Sequence, residues 1–331
     1  MFSVALIGAG RIGQIHAANI ANHLQSSLRY VADIHPDSAK TLAKRHGAEV
    51  AGVEAALADP AVDIVVISSA TDTHAELSER ALLAGKAVFC EKPIDLDIER
   101  VRQCVELVRQ KEGKMMVGFN RRFDPNFAHL RQSLVAGDVG ELELLMIHSR
   151  DPGALPIEYL KVSGGMFRDM SIHDFDMARW ILGEEPVRVH ATAASLTDPT
   201  IAEIGDIDTA IVSLQCASGR MAVITNSRRA AYGYDQRIEV HGSKGMLNVA
   251  NVVESTLVKS TVDGVVSQKP KHFFLERYSD SYRIEWDHFI GALKGEHALW
   301  PSAEDGERAL VLAEAAVTSL RTGRAVELNW V

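Results

Sequence analysis

Three ionisable side chains within residues 163–183 have types and a spacing that suit proton transfer. Asp169, His173 and Asp176 follow one another at intervals of four and three residues, which places them on one face of a predicted helix. The other side chains of this segment are mostly apolar and point in several directions, so the helix is predicted to be largely buried. Buried titratable groups need partners or a purpose, and these three residues, termed the polar row, are therefore a candidate site.

A structural interpretation of the polar row has Asp169 capping the helix and His173 packed in the core with Asp176 as its acceptor. The preceding glycines, Gly164 and Gly165, favour a functional interpretation. Consecutive glycines allow the backbone to approach a ligand closely, here at the point where Asp169 emerges. We therefore expect a ligand beside Asp169, and the rest of the chain must position it.

The first 120 residues alternate short apolar runs with helical patterns, which predicts a doubly wound parallel sheet of the α/β class. The runs with the composition of buried strands are residues 4–7, 28–32, 64–67, 87–89 and 115–117. Such a sheet binds ligands at the carboxyl ends of its strands. The candidate contacts in this half of the chain are therefore sought in the loops that follow the strands.

A G-x-G-x-x-G motif lies between the first predicted strand and its helix. It consists of Gly8, Ala9, Gly10, Arg11, Ile12 and Gly13. The first glycine makes the tight turn, the second lets the backbone reach a pyrophosphate, and the third packs helix on strand, while the helix N-terminus faces the phosphates. Asp33 follows Gly13 by 20 residues, at the end of the second strand, where it can bond the adenosine ribose. The motif and Asp33 together predict a dinucleotide cofactor.

The same carboxylate bears on the choice between NAD and NADP. Asp33 would repel a 2′-phosphate, and no Arg or Lys follows it within the next few residues. His35 could still contact a phosphate. The sequence therefore favours NAD over NADP.

Two further strand ends carry candidate residues. The predicted strand at residues 64–67 runs into a small, polar loop at the ligand-binding edge. Its candidate cofactor contacts are Ser69, Thr71 and His74. The predicted strand at residues 87–89 leads to Glu91 and Lys92 before a proline that fixes the turn. Glu91 is therefore a further cofactor contact, and Lys92 is a candidate for both cofactor binding and chemistry. The alternative is a surface Lys92 that is merely paired with Glu91.

After residue 120 the pattern changes. Residues 123–136 are predicted to form a linking helix, and alternating stretches then predict one large, mainly antiparallel sheet. These stretches are residues 144–149, 187–193, 210–216, 221–226, 238–241 and 246–249. Two amphipathic helices, residues 285–293 and 303–320, are expected to pack across this sheet or onto the first domain. The predicted domains are residues 1–120 and an α+β domain of residues 121–331.

The composition narrows the class of protein. With 331 residues, 47% of them hydrophobic, the chain is expected to be soluble and to form two domains. A formal charge of −9 argues against nucleic-acid binding, and no uncharged run approaches the roughly 18 residues that a membrane helix needs. The odd number of cysteines, without close pairs, indicates neither disulfides nor a thiolate zinc site. A cytoplasmic protein that acts on a small molecule is the expectation.

These motifs make the chain resemble the Gfo/Idh/MocA family of oxidoreductases over nearly its full length, and within that family the inositol 2-dehydrogenases. The resemblance rests on the motifs at residues 8–13, 90–93, 118–125, 168–176 and 232–236. It implies that Lys92, Asp169 and His173 match the catalytic residues of the family, and that Asp151 and Tyr234 lie on substrate-contacting positions. Asp151 departs from the pattern, since many inositol dehydrogenases carry Asn there. The resemblance also implies a homo-oligomer, usually a tetramer, formed through the exposed face of the second sheet.

The expected chemistry is the oxidation of a secondary alcohol by NAD, which requires a base and a group that holds the reacting oxygen. We expect His173 to take the hydroxyl proton, Lys92 to donate a hydrogen bond to the same oxygen, and Asp169 to orient both. The polar side chains expected around them outnumber what a simple alcohol could satisfy. They include Asn120, Arg121, Asp151 and Tyr234. With the resemblance, this favours myo-inositol oxidised at C2, and scyllo-inositol, chiro-inositol or glucose remain alternatives.

Two rival functions follow from the same residues. Asp169, His173, Asp174 and Asp176 offer ligands to zinc or manganese, but Asp174 is expected to point away from the polar row, and catalytic zinc normally draws three convergent ligands. We therefore expect no metal. A non-catalytic NAD-binding sensor is the second rival, disfavoured by the matching Lys, Asp and His.

Overall fold

The computed structural model describes residues 1–330 and divides the chain into two compact units. The first unit contains Met1–Asn120 and Asp280–Val311. The second contains Arg121–Ser279 and the chain from Leu312 onward. Each unit has its own sheet.

The first unit contains a parallel sheet whose central strands are continuous apolar runs. Its strands are β1 (Phe2–Ile7), β2 (Ser26–Ala32), β3 (Glu49–Val50), β4 (Ile64–Ile67), β5 (Ala87–Cys90) and β6 (Met115–Val117). They lie in the order β3-β2-β1-β4-β5-β6, and every residue of β4 is buried, as expected for a parallel strand covered on both faces. The predicted doubly wound parallel sheet is confirmed. The short, exposed edge strand β3 was not predicted, because two residues give no periodic signal.

Helices connect these strands. They are α1 (Arg11–Asn22), α2 (Pro36–His46), α3 (Val53–Ala58), α4 (His74–Leu83) and α5 (Ile98–Gln110). Helix α2 begins with Pro36 in its first turn and ends at Gly47, whose φ of 69° suits glycine. Helix α1 begins at Arg11, directly after Gly10 and inside the glycine motif, so this connection places the helix N-terminus at the ligand-binding edge of the sheet.

The second unit contains a large mixed sheet and a separate hairpin. The strands are β7 (Leu142–Arg150), β8 (Pro186–Ala194), β9 (Thr209–Cys216), β10 (Met221–Ser227), β11 (Asp235–Gly242), β12 (Gly245–Val249), β13 (Val258–Thr261), β14 (Gly264–Ser267) and β15 (Val326–Glu327). The large sheet has the order β12-β11-β7-β10-β9-β8-β15, in which β7 and β10 are parallel and the other neighbours antiparallel. Strand β9 alternates between buried and exposed residues, so one face of the sheet is covered. The predicted, mainly antiparallel sheet is confirmed.

The helices of the second unit precede and follow these strands. They are α6 (Pro125–Ala136), α7 (Ile157–Leu160), α8 (Met166–Asp169), α9 (Ile172–Leu182), α10 (Pro199–Glu203) and α11 (Phe274–Arg277). The single helix predicted for residues 163–183 is wrong, because the helix is interrupted between Asp169 and Ile172. At the interruption, the Ser171 hydroxyl donates a hydrogen bond to Asn226 Oδ1 at 2.8 Å. The prediction that this segment is largely buried is confirmed.

Two long helices lie near the end of the chain, α12 (Ser279–Leu293) and α13 (Ala303–Thr322). Both exceed the predicted ranges, and both cross a boundary between the two units. Over the part of the chain that is described, no helix combines the length and the apolar character that crossing a bilayer would require.

Candidate active site

The glycine motif forms a tight loop with open space on one side. Gly8 has φ +103°, and a Cβ on it would lie 2.4 Å from the Ser68 carbonyl oxygen. A Cβ on Gly13 would lie 2.0 Å from the Gly8 carbonyl oxygen. By contrast, apart from Gly10 and its two chain neighbours, no described residue has an atom within 4 Å of the Cβ position of Gly10. The backbone is thus open to a ligand at Gly10 and closely packed at the other two glycines.

The N-terminus of α1 supplies the donors of this site. Within the described residues no side chain caps this helix end, and no acidic residue lies in its first turn. Its first backbone N–H groups therefore point toward the open space with the positive end of the helix dipole behind them. This arrangement fits the pyrophosphate of a dinucleotide.

Asp33 attaches the glycine loop to the end of β2. Its Oδ2 accepts a hydrogen bond from the Ala9 N–H at 2.6 Å, and its Oδ1 accepts one from the His35 N–H at 2.7 Å. An ionised carboxylate has further lone pairs, so it can accept from ribose hydroxyls as well. The sequence motif indicates the residue but not its bond to the loop.

The loop after β4 is held by hydrogen bonds of its own. The Ser69 and Thr73 hydroxyl oxygens lie 2.6 Å apart, and Thr71 begins a short 3₁₀ helix. His74 is buried, with Nδ1 2.8 Å from the Pro93 carbonyl oxygen and Nε2 3.2 Å from that of Ser69. Burial lowers the pKa of this imidazole. His74 therefore ties the loop that carries Ser69 to the turn that follows Lys92.

The end of β5 carries Glu91 and Lys92 in different environments. Glu91 is buried, and its Oε1 lies 2.7 Å from Nε2 of the equally buried His16. Lys92 is half-buried. Glu91 is thus not a surface carboxylate, and the sequence offered no sign of His16 beyond its place in α1.

Asp169, at the end of α8, is anchored from two sides. The Tyr159 hydroxyl donates to Asp169 Oδ1 at 2.8 Å, and Arg228 Nη2 lies 3.5 Å from Oδ2. Asp169 is buried, whereas His173, the second residue of α9, is half-buried. The hydroxyl and the guanidinium together fix the orientation of the carboxylate.

Gly165, directly before α8, packs closely against a carboxylate of the same unit. Gly165 has φ +86°, and a Cβ on it would lie 3.0 Å from Asp206 Oδ1. The same Asp206 oxygen accepts a hydrogen bond from the Met166 N–H at 3.0 Å. The close approach that Gly165 permits is therefore made by Asp206 of the same unit, and the ligand expected beside Asp169 stays a prediction.

The other carboxylates of the α9 segment are paired with arginines. Asp174 Oδ1 lies 2.5 Å from Arg121 Nη1, and Asp174 Oδ2 accepts from Asn226 Nδ2 at 2.7 Å. Arg122 holds Asp176 by two hydrogen bonds, including one from Nε to Oδ2 at 2.8 Å. These ion pairs are buried. The carboxylates proposed as metal ligands are thus engaged with guanidinium groups, and no cluster of three or more metal-ligating side chains was found among the described residues.

Asp151 is a half-buried carboxylate in a strongly charged environment. Desolvation raises its pKa to about 6, and the nearby carboxylates Asp169 and Asp174 act in the same direction. Arg228 and Arg121 oppose this rise. We use the name carboxylate cluster for Asp151, Asp169 and Asp206 around Arg228, whose Nη2 lies 4.0 Å from Asp206 Oδ2.

The remaining predicted substrate contacts are buried. Asn120 is 2% exposed, and its Nδ2 has no hydrogen-bond partner within residues 1–330. Arg121 is bound to Asp174 as described. Tyr234 packs edge-on against Tyr278, with ring centroids 5.9 Å apart, and burial raises the pKa of its hydroxyl.

The predicted catalytic residues fall in different units, Lys92 in the first and Asp169 with His173 in the second. Sequence reasoning missed Tyr159 and Arg228, which hold Asp169. No sequence signal distinguishes Arg228 from its exposed neighbour Arg229. The spacing of the polar row places its three residues on one face only when the helix is continuous. The interruption between Asp169 and Ile172 removes that condition.

Comparisons with known proteins cover both units. Residues 2–119 match the oxidoreductase family with an NAD-binding Rossmann fold, and residues 127–248 match the GFO/IDH/MocA C-terminal domain. The chain is 50% identical to an inositol 2-dehydrogenase of Rhizobium meliloti over 98% of both chains.

Solved structures agree with this match. A myo-inositol dehydrogenase of Corynebacterium glutamicum is 44% identical, with a TM-score of 0.96 and full coverage of both chains. A scyllo-inositol dehydrogenase of Lactobacillus casei, solved with NAD(H) and scyllo-inositol, is 30% identical, with a TM-score of 0.91 and 99% coverage of both chains.

Proposed function

Since this chain belongs to the GFO/IDH/MocA family of oxidoreductases, we propose that it oxidises myo-inositol at C2 to 2-keto-myo-inositol, with NAD as the oxidant. The observation that carries the substrate assignment is the carboxylate cluster. Asp151 and Asp169 supply acceptors for several hydroxyls in the unit that also carries His173. A carboxylate has about four lone-pair positions, so these two residues can accept from more hydroxyls than a simple alcohol carries.

The first unit is an NAD-binding Rossmann fold. We propose that residues 1–120 form the cofactor domain and residues 121–331 the substrate domain, with Asp280–Val311 of the latter packed into the first unit. The pyrophosphate would lie against Gly10 and the N-terminus of α1, with Arg11 and Ile12 beside it, and Asp33 would bond the adenosine ribose. Ser69 and Thr71 remain proposed contacts, while His74 and Glu91 would act by holding the loops in place.

The proposed chemistry assigns one role to each polar group. His173 takes the proton of the C2 hydroxyl, and Lys92 donates a hydrogen bond to the same oxygen, where negative charge develops. Asp169, fixed by Tyr159 and Arg228, orients these groups and offsets their positive charge. The bound NAD accepts the hydride from C2.

The other hydroxyls of the ring would be bonded by the remaining polar groups. Asn120 is the best supported, because a buried amide donor without a partner costs about 1–3 kcal/mol unless a ligand accepts its hydrogen bond. Asp151 would accept from a neighbouring hydroxyl. Tyr234 completes this set, and Arg121 would contribute through its charge while it holds Asp174.

We also propose a cytoplasmic homotetramer. Three cysteines, Cys90, Cys104 and Cys216, are free and buried, which suits a reducing compartment. The uncovered face of the large sheet exposes apolar side chains, among them Ile211, Met221 and Met246, which suit contact with another copy of the chain. Light scattering coupled to size exclusion measures the assembly directly.

A substrate panel tests the proposed activity. Myo-, scyllo- and chiro-inositol, glucose and an acyclic polyol are each offered with NAD and with NADP, and formation of reduced cofactor is followed. We expect the highest kcat/KM for myo-inositol with NAD. Oxidation of the acyclic polyol in preference to every cyclic one would contradict the assignment.

The Asp151→Asn variant tests the substrate contact separately. It should change the ranking among the inositol isomers and glucose while NAD affinity stays the same, because Asp151 belongs to the second unit. An unchanged ranking would remove Asp151 from the proposed substrate site.

A further inference from the structure

Arg228 is a fully buried cation at the end of β10. Strands β7 and β10 are parallel neighbours, and their register ends with Ser227 opposite Arg150. The Asp151 N–H then donates to the Ser227 carbonyl oxygen at 2.9 Å. Asp151 and Arg228 are therefore the first residues beyond two paired strands, and the sheet itself sets them side by side.

The guanidinium of Arg228 has more donors than close partners. Its Nη2 lies 3.5 Å from Asp169 Oδ2 and 4.0 Å from Asp206 Oδ2. Its Nε and Nη1 are buried and have no hydrogen-bond partner within residues 1–330. In a bidentate ion pair, two N–H groups of Arg228 would donate to the two oxygens of one carboxylate, which is not what is seen here. The arrangement suits one central cation that acts on several carboxylates.

The charged groups around Asp151 come from separate elements. Asp169 and Asp174 lie on α8 and α9, Arg121 lies before α6, and Arg228 follows β10. Burial and the two carboxylates favour the neutral form of Asp151, whereas the two arginines favour its carboxylate. Arg121 is already bound to Asp174 by a short ion pair. Arg228 is therefore the cation whose loss would change the charge of Asp151 most.

We propose that Arg228 is a positioning residue that holds Asp151 and Asp169 as a pair of hydrogen-bond acceptors for neighbouring hydroxyls of the substrate. This inference rests on the proposed function and deepens it, since the preferred substrate must present hydroxyls on either side of the reacting carbon. Arg228 itself acts through the two carboxylates. The effect of replacing Arg228 on kcat/KM should therefore depend on pH. Replacing an arginine that serves packing alone would have the same effect at every pH.

Charge-removing and charge-keeping variants separate these roles. Arg228→Met removes the cation, Arg228→Lys keeps it, and Arg229→Met removes the charge of the exposed neighbour as a matched control. Where Arg228→Met does not fold, Arg228→Gln gives the same comparison with an amide donor in place. Thermal melting establishes which variants fold.

The first measurement does not require turnover. Carbon-13 NMR of the aspartate carboxyl groups follows the titration of Asp151, whose signal is the one missing in Asp151→Asn. Loss of the positive charge of Arg228 should raise the titration midpoint of Asp151 by about 1–3 pH units in Arg228→Met. Arg228→Lys and Arg229→Met should titrate as the unchanged protein does. An unchanged midpoint in Arg228→Met would overturn the inference.

The second measurement is the pH dependence of kcat/KM with myo-inositol and NAD. Arg228→Met should lose about tenfold at pH 7 when the midpoint of Asp151 rises by about 2 units from about 6, and should recover toward the unchanged protein at pH 9. A loss that is equal at every pH and shared by Arg228→Lys would assign Arg228 to packing alone. If the unchanged protein oxidises no cyclic polyol, the proposed function fails, and the NMR titration still decides whether Arg228 controls the carboxylates.

Discussion

The glycine loop of the first unit and the carboxylate cluster of the second are assembled in opposite ways. The loop is made of the backbone of consecutive residues. A side chain at Gly8 or Gly13 would collide with neighbouring backbone, whereas one at Gly10 would enter the space proposed for the ligand. The cluster is made of side chains that come from α8, from the ends of β7 and β10 and from the segment before β9. No stretch of the sequence contains the cluster.

This difference decides where sequence reasoning succeeds. In the loop, each residue type reports a local requirement that a reader of the sequence can name, such as a positive φ or a close contact. In the cluster, the state of each aspartate depends on a partner that the fold brings from elsewhere. Identical residue types therefore take different roles, as with Asp169, which is held by Tyr159 and Arg228, and Asp176, which is paired with Arg122.

The largest expected effect concerns the proposed catalytic residues. Their residue types suggested them from the sequence, but the sequence did not reveal the partners that hold them. Lys92→Ala, Asp169→Ala and His173→Ala should each lower kcat by about 10²–10⁴-fold, because each removes a group that transfers a proton or stabilises charge. NAD affinity, measured by titration calorimetry, should change little in Asp169→Ala and His173→Ala, since both residues lie in the second unit and the glycine loop is intact. The exposed His129 provides a matched control in His129→Ala.

Two results would break this assignment. A His173→Ala variant with near-normal kcat across the pH range would show that His173 is not the base. Loss of activity on exhaustive chelation, restored by zinc or manganese, would return the metal hypothesis despite the pairing of Asp174 and Asp176 with arginines.

The second prediction concerns the buried ion pairs that surround the site. Arg121→Met should lower the free energy of unfolding by about 3–5 kcal/mol, because it leaves Asp174 charged and unpaired by its arginine in the interior. Adding Asp174→Asn should recover part of the loss. Urea denaturation followed by tryptophan fluorescence measures both.

The exposed pair of Arg283 and Asp287 is the reference for this prediction. Arg283→Met should cost less than about 1 kcal/mol, as exposed pairs usually do. Equal losses in Arg121→Met and Arg283→Met would mean that burial of the pair does not govern its contribution.

The third prediction separates the glycines of the loop. Gly13→Ala should destabilise the protein by about 1–3 kcal/mol, because the new Cβ meets the Gly8 carbonyl oxygen. Gly10→Ala should leave stability nearly unchanged and weaken NAD binding, because its Cβ enters space that no described residue occupies apart from Gly10 and its chain neighbours. Thermal melting with and without NAD distinguishes the two. If both variants lost stability equally, the space at Gly10 would not be reserved for a ligand.

Much of the fold was predictable because its signals are periodic. The buried runs of the parallel sheet and the alternation of the second sheet were found within a few residues, and the short strands β3, β13, β14 and β15 were missed. The glycine loop and Asp33 were predictable because the motif and its 20-residue spacing to Asp33 are visible in the sequence itself. The interruption of the helix after Asp169 was not, since it depends on a hydrogen bond between Ser171 and Asn226 across 55 residues. Arg228 was not predictable because its burial follows from the pairing of β7 with β10.

The smallest expected effect concerns Asp33, where a residue identified by its motif proves to have a second, structural role. Asp33→Ser combined with Ile34→Arg should raise the ratio of kcat/KM for NADP to that for NAD by at least about tenfold, or about 1.4 kcal/mol. The carboxylate no longer repels the 2′-phosphate, and the exposed position of Ile34 allows the new guanidinium to reach it. Asp33 also accepts from the Ala9 N–H, so part of the loss with NAD must come from a loosened glycine loop. Asp33→Asn, which keeps an acceptor oxygen and removes the charge, isolates the electrostatic part, and an unchanged ratio in both variants would show that Asp33 serves the loop alone.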